Sequence, residues 1–270
     1  MPLKQSEAIV LRTYPLRESD LLVTLFTRAE GKVKGVARAA KKSKRRFGGA
    51  LEPLTLVRVY YDDREGQELA RIDSCDILDS PLSHELDYAR VAALEHVAEL
   101  LDELLPEREV NDAVFRLTHA VLRSLQSGPI WMPLTYFQLW LVRLVGFLPE
   151  LSECVVCGSS LEGHRAFYHA LVDGVMCPQH KRLASSELSP ESRALAERMF
   201  CAPVESFAAC TSASGVGSRP GEEIPHPTKR RLDGAPANAD LRKFLVRIVE
   251  RHLEKKLVTA TMLEKLATSN

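Results

Sequence analysis

Two close pairs of metal-binding residue types stand in the second half of the chain. Cys154 and Cys157 form the first pair, and Cys177 and His180 follow after an interval of nineteen residues. Two such pairs on separate turns can close a tetrahedron around Zn²⁺, for which thiolate and imidazole are suitable donors. Because four protein ligands leave no position for a water molecule, the spacing predicts a structural rather than a catalytic zinc site. Gly158 would allow a tight turn that aims backbone N–H groups at the thiolates.

Other interpretations of the cluster stay open at this point. His164 and His169 lie between the two pairs, and either could replace His180 as the fourth ligand. The pairs could also be unrelated, or the first could form a redox disulfide, although no thioredoxin-like pattern surrounds it. Six cysteines in 270 residues are too few for a disulfide scaffold and fit reduced thiols with one metal site. No phosphate loop, nucleophile elbow or dinucleotide loop is present, so we expect neither an enzyme nor a small-molecule substrate.

A second group of residues has the chemistry to bind phosphate. In an alternating strand the first three cations after Gly31 would share one face, and the run that follows is too charged for a strand and predicts a mobile loop. A charged strand face with a charged loop is typical of proteins that follow the phosphates of single-stranded nucleic acid, and Phe47, Tyr60 and Tyr61 are nearby candidates for base stacking. The alternative is a solvated loop that only aids solubility. The candidate DNA-binding residues are Lys32, Lys34, Arg38, Lys41, Lys42, Lys44, Arg45 and Arg46.

Charge is divided unevenly along a chain whose formal net charge is zero. Residues 1–61 carry thirteen Lys or Arg against five Asp or Glu, and residues 62–110 carry four against fifteen. Such asymmetry suggests a functional electrostatic field, although we expect the acids of residues 95–109 to form a solvated helix face. No apolar run is long enough for a membrane span and no signal peptide is evident, so a cytoplasmic location is expected.

The periodicity predicts an α+β multidomain protein. Five short strands within the first 75 residues indicate a small closed barrel, most commonly of the OB-fold type, with an SH3-like barrel as the alternative. Helical spacing then predicts an α-helical region with an embedded zinc-binding module, ending in an amphipathic helix over 240–257. We therefore predict an OB-fold DNA-binding domain at 1–80, a helical domain at 81–149 with 190–270, and a zinc module at 150–189. Residues 202–238 are predicted to be a long loop or disordered insert.

The run AIVLRTYPLRESDLLVTLFTRAEGKVKGVARAAKKSKRRFGGALEPLT resembles the opening barrel of the RecO family of bacterial DNA repair proteins. The phrase LVRLVGFLPELSECVVCG is similar to that family's junction between helix and zinc module, and residues 173–177 match a further short motif. The resemblance covers essentially the whole chain. Ala39 stands where the family usually has Gly, and His180 where zinc-bearing relatives commonly have Cys.

This resemblance implies an OB-fold joined to a helical domain with structural Zn²⁺. It implies binding of single- and double-stranded DNA, annealing of complementary strands, and work with RecR to load RecA on DNA covered by single-strand binding protein (SSB). The helical domain would contact the C-terminal tail of SSB. Two alternatives remain: a protein–protein adaptor with an incidental basic loop, and a zinc-dependent nucleic-acid enzyme such as a nuclease or deaminase.

Overall fold

A computed structural model describes residues 3–63, 67–208 and 235–268, and most of the predicted insert, 209–234, lies outside the described residues. The chain divides into two compact units. The first, which we call the barrel unit, comprises Met1–Ser127 with Lys256–Asn270. The second unit comprises Gly128–Lys255.

Five strands of the barrel unit form a closed barrel in the order β1-β2-β3-β5-β4. The pairs are antiparallel except for β3 and β5, which run parallel, and β1 closes the barrel by pairing with both β2 and β4. This topology agrees with the five-stranded OB-type barrel that the sequence predicts. The strands are β1 (Lys4–Pro15), β2 (Leu21–Thr27), β3 (Gly31–Ala37), β4 (Leu56–Asp62) and β5 (Ala70–Asp79).

Alternation along the strands builds the interior of the barrel. Apolar side chains such as Val10, Val23 and Leu25 point inward and are fully buried. Phe47 and Tyr61 join the same core. Because truncating a buried aromatic side chain typically costs about 3–5 kcal/mol, these two residues stabilise the barrel, and the prediction that they stack on bases is wrong.

Helices of the barrel unit follow the strands in the chain. They are α1 (Lys44–Phe47), a 3₁₀ turn (Pro81–Ser83), α2 (Tyr88–Leu104), α3 (Asp112–Ser124) and α8 (Val258–Thr268). Asp87 caps α2 by accepting a hydrogen bond from Arg90 N at 2.7 Å, and Asn111 caps α3 by accepting one from Val114 N at 3.0 Å. Such caps satisfy backbone donors that the first turn leaves open.

A buried carboxylate joins α8 to α2. Glu99 accepts hydrogen bonds from the backbone N–H groups of Val258 and Thr259, at 2.8 and 3.0 Å, and another from the Thr259 hydroxyl. The prediction that Glu99 belongs to a solvated face is therefore wrong. The expected helix 240–257 is also wrong at its end, because a residue with φ of 54°, Glu254, separates two helices.

The second unit contains four helices and a small sheet among its described residues. They are α4 (Trp131–Leu144), α5 (Pro190–Cys201), α6 (Glu205–Ala208) and α7 (Ala235–Leu253), with β6 (Ala166–Tyr168), β7 (Val175–Met176) and β8 (Ser186–Leu188) in the order β7-β6-β8. Helix α4 is apolar on most sides and packs against α7, as expected for the centre of a helical region. Two described ends of the predicted insert are helical, in α6 and the start of α7.

The compact units do not follow the predicted domain boundaries at residues 80, 149 and 189. Helices α2, α3 and α8 belong to the barrel unit, whereas the remaining helices and the small sheet belong to the second unit. The three-domain division stays a prediction. Within the described residues, no helix combines the length and apolar character needed to cross a membrane.

Candidate nucleic-acid interface and metal centre

The outer face of β3 carries the first two predicted DNA-binding residues, and the structure pairs both with acids. Lys32 is only 7% exposed, and its Nζ donates to the Asp102 carbonyl oxygen at 2.5 Å. Burial lowers the pKa of Lys32 despite the nearby carboxylates. Lys34 Nζ lies 2.5 Å from Glu107 Oε1, and this hydrogen bond raises the pKa of Lys34. The strand alternation was predicted correctly; Lys32 is buried, whereas Lys34 is partly exposed and paired, and a role of either lysine in DNA binding stays a prediction.

An acidic segment covers that end of β3. We call residues 105–111, between α2 and α3, the acidic connector. Its residue Glu107 forms an isolated parallel bridge with Lys32, and Arg108 N donates to the Lys32 carbonyl at 2.9 Å. At Gly31, which has a φ of 69°, an added Cβ would lie 2.0 Å from the Glu109 carbonyl oxygen. Glycine at this position therefore lets the connector approach the strand closely.

Further cations of the barrel are also neutralised by acids. Arg12 Nε lies 3.3 Å from Asp102 Oδ2, and Arg28 Nε lies 2.7 Å from Asp112 Oδ1. Lys4 Nζ lies 3.3 Å from Asp63 Oδ2. Acids at residues 63–112 thus neutralise part of the positive charge of the first 61 residues.

Five of the predicted DNA-binding residues remain open to solvent. Each is exposed, and none has a carboxylate partner among the residues that the structure describes. We call them the open loop cations: Arg38, Lys41, Lys42, Lys44 and Arg45.

The chain before the basic loop is held by the turn between β1 and β2. Asp20 Oδ1 accepts a hydrogen bond from Ala39 N at 2.8 Å, and Lys41 N donates to the Ser19 carbonyl at 3.1 Å. Ala39 has a φ of 53°, in the left-handed region that glycine enters without steric cost. The glycine-type turn is therefore retained even though the residue is alanine.

Arg46 holds the loop through contacts with the backbone of Arg38 and the ring of Phe47. Its guanidinium donates to the Arg38 carbonyl at 2.7 Å and lies 5.0 Å from the centre of the Phe47 ring. Because Phe47 is buried and ends the helical turn α1, the loop is anchored in the barrel core. Lys44–Phe47 form a helical turn within the segment that the sequence predicts to be a mobile loop, and Arg46 is a positioning residue rather than an open cation.

An exposed aromatic side chain that the sequence analysis missed lies on the same outer face. Tyr14 is 52% exposed and pairs in register with Leu22, which pairs with Val36, which pairs with Arg71. Paired residues point to the same side of a sheet, so this row places an aromatic, two aliphatic groups and a cation together. Alternation from the buried Ala8 and Val10 would have placed Tyr14 inside the barrel, and only the register shift between Val10 and Arg12 turns it outward. Base stacking on aromatic side chains is a common source of affinity for single strands.

The predicted zinc ligands come together in the second unit. Cys154, Cys157, Cys177 and His180 each offer a donor atom, and all four atoms lie within 4.8 Å of one another. His180 Nδ1 is 3.2 Å from Cys177 Sγ and 3.9 Å from Cys154 Sγ. These separations fit donors placed around one ion with bonds of about 2.0–2.3 Å. The group could therefore bind a metal ion.

Local backbone structure prepares the first thiolate. Gly158 has a φ of 68° and its N–H donates to the Cys154 carbonyl at 2.8 Å, which forms the tight turn that the sequence predicts. Burial raises the pKa of Cys154, but hydrogen bonds from the backbone of Cys177, Cys157 and Val156 outweigh it and lower the pKa to about 6. A thiolate at neutral pH is the form that binds a metal.

The two alternative histidines lie outside this group of donors. His169 Nδ1 instead accepts a hydrogen bond from Leu171 N at 3.1 Å, and His164 is exposed. Arg193, which the sequence analysis did not single out, is buried and donates to the carbonyls of Leu161, at 2.6 Å, and His164. Arg193 thereby ties the segment between the two ligand pairs to helix α5.

The chain thus combines a closed OB-type barrel, helices that follow it and a Cys₃His cluster that could bind a metal ion. Family models described as Recombination protein O N terminal and Recombination protein O C terminal match residues 1–81 and 85–214. The chain is 66% identical to the DNA repair protein RecO of Koribacter versatilis, over 98% of this chain and 99% of that protein. It is 30% identical to RecO of Anaeromyxobacter sp. (strain K), over 96% and 94%. The chain belongs to the RecO family of DNA repair proteins, and its general role lies in recombination repair.

Proposed function

We propose that the chain binds single- and double-stranded DNA through the open loop cations and anneals complementary strands without bond-breaking chemistry. The observation that carries this proposal is electrostatic. The open loop cations stay exposed on an anchored loop, whereas Arg12, Arg28 and Lys34 of the barrel unit are paired with acids. Unpaired cations release the condensed counterions of a nucleic acid when they meet its phosphates.

Annealing follows from where the charge is placed. The loop would neutralise the phosphates of one strand, while Tyr14 and its row would hold a base by stacking. Because phosphate contacts leave base edges free, a second strand could approach with less repulsion and pair. The reaction needs no nucleotide hydrolysis.

We propose that the Cys₃His group holds Zn²⁺ in a structural role. The ion would join the turn at Cys154 to the turn at Cys177 and so stabilise the adjoining small sheet β7-β6-β8. Four protein donors leave no open position for a reacting water molecule, which favours a structural site over the zinc-dependent enzyme.

Membership of the family supports proposals on partners. We propose that the chain acts in the cytoplasm with RecR to load RecA on SSB-covered DNA, and that the helical domain predicted from the sequence contacts the SSB tail. Pull-down of purified RecR and of an SSB-tail peptide by the full chain would test these assignments, and failure to capture either one would contradict that assignment.

The central experiment removes charge from the loop. A variant with Lys41, Lys42, Lys44 and Arg45 changed to Gln is compared with wild type in strand annealing, with and without SSB. A control that removes the same number of charges changes four cations paired with acids to Gln: Lys4, Arg12, Arg28 and Lys34. We expect the loop variant to lose DNA binding and annealing while its melting curve is unchanged. The control should retain both DNA binding and annealing.

Two results would contradict the proposal. Unchanged DNA binding in the loop variant would favour the adaptor interpretation. Cleaved or deaminated product from labelled DNA incubated with metal would favour the enzyme.

A further inference from the structure

The outer face of β3 changes character midway along the strand. Positions 32 and 34 meet the acidic connector, whereas Val36 is half-exposed and Arg38 is fully open. A DNA strand that passes the open loop cations and continues along this face of β3 reaches Lys34 next. The ion pair between Lys34 and Glu107 therefore stands at the edge of the interface.

Glu107 is well placed to act as a fixed substitute for a phosphate. Its carboxylate lies 2.5 Å from Lys34 Nζ, and the two side chains are 53% and 43% exposed. The backbone beside it is held by the bridge to Lys32 and by the hydrogen bond from Arg108 N. These backbone contacts keep the carboxylate beside the lysine, and both side chains are partly open to a DNA strand from solvent.

The neighbouring pair, Lys32 with Asp102 of α2, differs from Lys34 with Glu107 in its exposure to solvent. Lys32 is buried, with its Nζ directed to the Asp102 carbonyl, so it contributes to packing rather than to the surface. Lys34 is exposed and would be available to a phosphate if Glu107 carried no charge.

We propose that Glu107 ends the DNA track on the barrel by competing with phosphate for Lys34, an inference that rests on the proposed function. A lysine that is already neutralised by a carboxylate cannot also neutralise a phosphate. It therefore releases no counterion from the DNA and adds nothing to the salt dependence of binding. The tethered carboxylate also has a high effective concentration, which free phosphate groups must overcome. The strand therefore contacts Arg38 and the loop but gains nothing at Lys34.

The test compares two neutral substitutions on the connector. Glu107→Gln removes the carboxylate at Lys34, and the matched control Glu109→Gln removes one equal charge from an exposed residue that has no described cation partner. Affinity for oligo-dT is measured by fluorescence anisotropy from 50 to 200 mM salt. We expect Glu107→Gln to bind more tightly and to steepen the slope of log K against log salt by about 0.7, the value for one added single-strand phosphate contact.

A double mutant shows whether the gain comes through Lys34. Lys34→Gln alone should leave the slope unchanged, and in the Glu107→Gln background it should abolish the gain. Equal slopes for Glu107→Gln and Glu109→Gln would overturn the inference while leaving the proposed function intact, provided that the loop variant still loses binding. If wild type fails to bind oligo-dT, the proposed function itself is refuted.

Discussion

The salt dependence of DNA binding should reveal how many cations the barrel offers. The sequence nominates eight residues, whereas the structure leaves five of them open and engages Lys32, Lys34 and Arg46 with other groups. Each phosphate neutralised on a single strand contributes about 0.7 to the slope of log K against log salt, so five cations predict a slope of about −3.5 and eight about −5.6. Between 50 and 200 mM salt, these slopes correspond to affinity losses of about 130-fold and about 2,300-fold.

Single substitutions separate the two counts. The assay is fluorescence anisotropy with labelled oligo-dT at several salt concentrations, and melting curves check that each variant is folded. Lys42→Gln removes an open cation and should reduce the slope by about 0.7. Lys34→Gln removes a cation that already has a carboxylate partner, so its slope should match that of wild type.

The reasoning would fail on either of two results. A wild-type slope near −5.6 would mean that Lys32, Lys34 and Arg46 also meet phosphates despite their contacts within the protein. An equal loss of slope in Lys34→Gln and Lys42→Gln would mean that the ion pair with Glu107 does not distinguish the two lysines.

Three further predictions concern stability. Ala39→Gly should raise the free energy of unfolding by about 0.5–1 kcal/mol in urea titrations because φ is 53° there, whereas Ala40→Gly, at a residue without positive φ, should lower it by a similar amount. Glu99→Ala should cost about 2–4 kcal/mol at pH 7 because it removes the acceptor from the buried Thr259 N–H and hydroxyl and from the partly buried Val258 N–H. Burial raises the pKa of Glu99, but the hydrogen bonds from Thr259 and Val258 outweigh burial, so the pKa is lowered overall. The loss of stability in Glu99→Ala should therefore be complete above the ordinary glutamate pKa and shrink as the pH falls through the lowered pKa. Chelation, or Cys157→Ser, should make residues 150–189 sensitive to protease, with added Zn²⁺ protecting only the wild type, and should leave oligo-dT affinity unchanged.

Patterns that are local in sequence were predicted well. The barrel strands follow from alternation of apolar and polar residues, and the four metal donors follow from two close pairs whose turns need few residues. Both signals arise within short segments, where the backbone leaves few choices.

Features that depend on distant segments were not predictable in the same way. Alternation correctly placed Lys32 and Lys34 on the outer side of β3, but it could not show that residues 102 and 107 cover that side. The burial of Glu99 depends likewise on α8, which lies about 160 residues further along the chain. A charged residue in a helix pattern is normally read as exposed, because the pattern does not reveal a partner that satisfies a buried carboxylate.

The uneven charge along the sequence acquires a meaning once these contacts are known. A barrel with thirteen cations would repel itself, and unselective positive charge would attract nucleic acid over its whole surface. Acids from residues 63–112 pair with cations on strands β1 and β3 and leave the anchored loop open. The local field therefore depends on which cations lack a partner rather than on net charge. For this reason, removing one carboxylate at Glu107 should change DNA binding more than removing one at Glu109, although both substitutions alter the net charge equally.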